Sequence, residues 1–127
     1  MDDRELLELA AKAAGYVVTG LGGMSRGVFV HHEGAQPDEC GDLPNFHWDP
    51  LNDDGDALRL AVKLHLDLRF HWDGCDDQYD EVEAYTHGAG KDAREQIGFY
   101  ERDGQLDEPA ATRRAIVRAA AEIGRAM

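Results

Sequence analysis

The order of apolar and polar positions divides the chain into eight regular elements. Asp2 and Glu5 have the spacing of a capping box, and Leu6, Leu9, Ala10 and Ala13 share one helical stripe. With Gly15 as the closing residue, the first helix is predicted over Asp3–Ala14. Residues 16–19 read as a short strand, which the glycine-rich stretch 20–27 turns into a second strand, Val28–His32. Residues 33–52 read as a long loop, because Pro37, Pro44 and Pro50 interrupt any regular element.

Asn52, Asp53, Asp54 and Asp56 mark a helix start, with acids at the positive end of the helix dipole. Ala57, Leu60, Ala61 and Leu64 follow on one helical face. Leu58, Leu60, Val62, Leu64, Leu66, Leu68, Phe70 and Trp72 also alternate with the period of a strand. The two patterns are reconciled by helix to about His65 and strand over Leu66–Trp72. Residues 80–87 and 96–101 are further strands, with turns at Gly88, Gly90 and Gly104. The last helix starts at Asp107 or Glu108, has Pro109 in its first turn and carries Ile116, Ala119, Ala120 and Ile123 on one face. The expected order is α-β-β-α-β-β-β-α, an α+β domain with helices layered on an antiparallel sheet.

At 127 residues the chain suits a single domain over 1–127, and its 43% apolar content is enough for a core without disulfide or metal. Cys40 and Cys75 are too few for a disulfide scaffold. The acidic start MDDRELLELA lacks the pattern of a signal peptide, and no apolar run is long enough to span a membrane. The net charge of −13 argues against direct contact with nucleic acid or an anionic membrane. That charge is concentrated. Residues 33–83 hold fifteen acids against Arg59, Lys63 and Arg69, a balance of −12, while the two flanks are nearly neutral. Such a segment is either a solvated face or a docking surface for a basic partner.

Several motifs invite chemistry and then fall short of it. Gly23-Met-Ser25-Arg-Gly27 matches the nucleophile pattern G-x-S-x-G, but a strand pattern follows where that chemistry needs a helix. The same loop lacks the third glycine and the lysine of a phosphate cradle. Cys40, His47, His71 and Cys75 are the best metal-ligating set, although no tight C-x-x-C knuckle supports a zinc site. His31 and His32 are neighbours on a strand and point to opposite faces. Residues 52–56 look faintly like a calcium loop, yet the first and twelfth positions fall on Pro50 and Ala61. The pairs Asp76/Asp77 and Glu81/Glu83 read as an exposed acidic turn. Trp48 and Trp72, each in a His-Trp-Asp frame, suit interface anchors bordered by acids.

Residues 48–64, residues 109–124 and the opening ELLELAAKAAG resemble a group of small proteins encoded by tailed phages and prophages. The final helix is similar to that of the NinX-like phage proteins. The resemblance covers about a third of the chain and lies in helices, so it implies a setting, the cytosol of an infected bacterium, and no catalytic residues. The expected role is a non-enzymatic, cytoplasmic accessory protein without cofactor, monomeric or homodimeric, that mimics nucleic acid on a basic host protein. Its partner surface would comprise Asp73, Asp76, Asp77, Asp80, Glu81, Glu83, Trp72 and Trp48. The alternatives are a small protein stabilised by zinc at the Cys/His set, or a small-ligand protein. For the latter, Arg113, Arg114 and Arg118 offer a local anion site.

Overall fold

A computed structural model describes residues 2–22, 26–72, 79–86, 92–96 and 108–127. The first helix, α1 (Asp3–Ala14), starts where the Asp2 carboxylate accepts from Glu5 N at 2.8 Å. It ends where Gly15, at φ +79°, donates back to the carbonyls of Ala11 and Lys12. Its buried side is Leu6, Leu7, Ala10, Ala11 and Ala14, so the core stripe is rotated slightly from the expected one.

Three strands follow, β1 (Tyr16–Leu21), β2 (Val28–His32) and β3 (Phe46–Trp48), paired antiparallel in that order. The third strand corrects the expected loop over 33–52. Pro44 and Pro50 stand outside the three paired residues, so neither removes a ladder donor, and Phe46, His47 and Trp48 pair with Val30, Phe29 and Val28. Trp48 is only 3% exposed and meets the Tyr16 ring edge-on, with centroids 5.4 Å apart. It is a core residue and not the surface anchor expected from its acidic neighbours.

The second helix, α2 (Asp54–Lys63), is capped by Asp53, which accepts from Asp56 N at 2.8 Å. His65, held at φ +56°, makes the turn into the next strand. Strands β4 (Leu66–Trp72), β5 (Tyr79–Thr86) and β6 (Asp92–Gln96) form a second antiparallel sheet in chain order. The fold is therefore α+β, and the described residues run in the order α-β-β-β-α-β-β-β-α, with two three-stranded sheets where one was expected. The helix between β3 and β4 packs on the last helix, and the strands after it open a new sheet instead of extending the first. Glu83, expected on the partner surface, is 7% exposed and stands opposite Arg69 in the β4–β5 register.

The last helix, α3 (Glu108–Ala126), lies between α1 on one side and β5 and β6 on another. Its buried residues are nearly all small: Ala111, Ala115, Ala119, Ala120, Ala121 and Gly124, with Ile116 and Val117. Small side chains let the two backbones approach closely, and a Cβ on Gly124 would land on the Leu9 carbonyl. The helices run parallel. Arg114 meets Asp3 at their N-terminal ends, and Lys12 reaches the Met127 carbonyl at their C-terminal ends. No helix among the described residues is long and apolar enough to cross a membrane.

Candidate anion-binding cleft

Because α1 and α3 are parallel, their N-termini point to the same end of the molecule, with the first turn of α1 beside Arg114 in the second turn of α3. A cleft of about 480 Å³ occupies that end. α1 contributes Asp3, Arg4 and Leu7, and α3 contributes Ala110, Arg113 and Arg114. The hairpin between β1 and β2 adds Leu21, Arg26, Gly27 and Val28, and the turn from β3 into α2 adds Asp49, Leu51 and Asn52. Four arginines thus face two aspartates in a chain whose overall charge is −13.

Arg26 is held at the cleft in an unusual way. Its backbone is left-handed at φ +57°, and Gly27 continues so at +73°. A side chain in that region costs on the order of 1 kcal/mol and persists only where its surroundings fix it. Here His47 Nε2 donates to the Arg26 carbonyl at 2.6 Å, and Gly22 N donates to the Gly27 carbonyl at 3.0 Å. Gly27 also permits a close approach, since a Cβ there would stand 2.6 Å from Asp49 Cβ and 2.7 Å from the Trp48 carbonyl. The guanidinium of Arg26 donates to Asn52 Oδ1 at 3.3 Å.

The other arginines are partnered mostly at the rim. Arg113 donates to the Leu51 carbonyl at 2.9 Å and to Asp54 at 2.6 Å, and Arg114 donates to Asp3 at 3.1 Å. Arg4 pairs with Glu8 at 3.1 Å. The side chains of Asp54 and Asp3 are 80% and 68% exposed, so the acids of these pairs stay in solvent, while Arg113 itself is only 18% exposed. A guanidinium can exchange such an exposed carboxylate for a ligand oxyanion.

Asp49 differs from the rim acids. The residue is 4% exposed, and its two carboxylate oxygens accept from one group, the Asn52 amide, at 3.2 and 3.1 Å. Its main chain is fully engaged. Asp49 N donates to Asp56 at 3.0 Å, while its carbonyl accepts from Asn52 N and Asp53 N. Among the described residues, no basic side chain forms an ion pair with it.

Apart from Arg113 and Arg114, the described residues expected to carry function do not line this cleft. Asp73, Asp76, Asp77, Cys75 and Ser25 lie outside the described residues, as do the side chains of His71, Trp72, Asp80 and Glu81. Cys40 is exposed on the loop after β2, and His47 is engaged with Arg26. Among the described residues, no three potential metal ligands come together. Of the arginines singled out on α3, Arg113 and Arg114 enter the cleft, while Arg118 is exposed further along the helix. Sequence reasoning passed over Arg4, Arg26 and Asp49. The one signal available was Arg26 beside Gly27, a charged residue inside a glycine-rich turn that needed none. Compared with known proteins, the chain matches no family model, no curated protein and no solved structure.

Proposed function

We propose that the protein is a binding protein, without catalysis of its own, that takes a small anionic ligand in the arginine-lined cleft. The observation that carries this reading is the convergence of Arg4, Arg26, Arg113 and Arg114 on one cavity of about 480 Å³ in a strongly acidic chain. That volume falls in the range of about 300–1,000 Å³ usual for small-molecule sites. Titration with inorganic pyrophosphate, followed by amide chemical shifts, tests it. Saturable shifts confined to residues 3–7, 26–28, 49–52 and 110–114 are expected. Arg26→Ala and Arg113→Ala should each weaken binding about tenfold, whereas Arg118→Ala leaves it unchanged. Shifts spread over the whole surface, or none, reject the reading.

A second reading has its own support. Glu33, Asp38, Glu39 and Asp42 are exposed on the loop after β2, where Asp38 accepts from Cys40 N and Asp42 N, both at 2.9 Å. An acidic turn fixed in this way suits docking on the basic surface of a host protein, in keeping with the phage resemblance. The surface would then include this loop and the acids of 73–81, without the buried Trp48 and Glu83. Neutralising Asp38, Glu39, Asp76 and Asp77 together should abolish a salt-sensitive complex; capture that survives unchanged counts against it.

A further inference from the structure

A sheet's outer strands present rows of backbone donors and acceptors with which another chain can pair. Among the described residues the two sheets have four such strands, and three are protected. β1 carries a register break between Val18 and Gly20, and β3 has only three residues between Pro44 and Pro50. β6 has five residues, three of them charged. β4 has none of these devices. It is regular from Leu66 to His71, holds no proline or glycine, and among the described residues pairs with β5 alone. We infer that the chain forms a homodimer in which β4 pairs antiparallel with β4 of a second copy, centred on Leu68. This inference is independent of the anion cleft.

The surface at this edge is apolar. α3 packs on β5 and β6, and Val82 and Ala84 are buried, but their cross-strand neighbours on β4, Phe70 and Leu68, stay 38% and 36% exposed. These two line a groove of about 370 Å³ with Leu58, Pro109 and Ile116. Leu58 and Val62, one turn apart on α2, are 61% and 65% exposed and extend the patch. Charge then selects the occupant. Residues 57–72 hold one acid, Asp67, against Arg59, Lys63 and Arg69, a balance of +2 inside a segment whose balance is −12. A second copy, itself at −13, is repelled least along this stretch.

The register follows from the strand's own sequence. A two-fold pairing sets one residue opposite its own copy, and opposed side chains lie on the same side of the sheet. Centred on Leu68, the pairing sets Leu66 opposite Phe70 and Asp67 opposite Arg69, each twice. A shift of one residue either way would oppose Asp67 to Asp67 or Arg69 to Arg69, which is unfavourable. Arg69 is exposed and donates to the Tyr85 hydroxyl at 3.0 Å, so its five-donor guanidinium keeps capacity for a carboxylate across the seam. The two apolar patches then lie on one side of a single joined sheet.

Sedimentation equilibrium of the full chain over a range of concentrations tests this. Reversible association to twice the chain mass of 14.1 kDa is expected, and a monomer at every concentration overturns the inference. Leu68→Arg should weaken the dimer about tenfold or more. Asp67→Arg sets bases opposite bases, and Arg69→Asp sets acids opposite acids, so each variant alone should be monomeric. In an equimolar mixture of the two, every opposed pair regains opposite charge, and a heterodimer should form. A dimer that all three substitutions leave intact uses another surface and overturns the inference, as does a mixture of folded variants that stays monomeric. Should the variants fail to fold, hydrogen exchange on the unaltered chain decides. Amides of residues 66–71 that exchange more slowly as concentration rises support the pairing, and rates that do not change overturn it.

Discussion

Two glycines show how differently the same substitution acts. At Gly15 a Cβ would meet nothing within 4 Å, so the cost of Gly15→Ala comes only from the left-handed backbone at φ +79°. About 1 kcal/mol is expected there. At Gly124 the added carbon would occupy the place of the Leu9 carbonyl, and no flexible side chain can yield, because the obstacle is backbone. Gly124→Ala must therefore push α1 and α3 apart, opening gaps along a seam of alanines. We expect a loss of about 3 kcal/mol or more. Urea denaturation of both variants beside the parent measures the contrast, and equal effects would contradict the close helix approach.

The helices and strands explain what could be read in advance. α1 follows the expected bounds, and β4 starts at Leu66, where period-two alternation takes over from helical spacing. β3 was hidden because three residues between prolines carry no period, and its pairing depends on β2, which is distant in sequence. The cleft was hidden for the same reason at a larger scale. Its walls come from five separate stretches, and only the Arg113–Arg114 pair stood out in the sequence. The start of α2 links the two levels, since its cap Asp53 is next to the cleft residue Asn52. Asp53→Ala removes the bond from Asp56 N and should cost about 1 kcal/mol by denaturation. Anion affinity should fall with it if fraying of α2 disturbs Asn52 and Asp49, which a parallel titration would register.

Across the molecule the charge is divided between an acidic middle and a cleft that gathers arginines. Exposed pairs such as Arg4–Glu8 do little to offset a net charge of −13. Self-repulsion then dominates the electrostatics, and salt should stabilise the fold. A Tm several degrees higher in about 0.5 M than in about 0.02 M sodium chloride is expected. A falling Tm would mean that local ion pairs outweigh the repulsion.

The pairing of α1 with α3 also sets an order of events when the chain is made. Residues 15–107 separate the two helices, so Leu6, Leu7 and Ala10 leave the ribosome long before the alanines that will cover them. At about 5–20 residues per second, roughly 5–20 s pass with that stripe uncovered. The nascent protein must hold an apolar helix open until α3 arrives. Its solubility during that interval then depends on the acidic middle, residues 33–83, which emerges before α3 and keeps neighbouring chains apart.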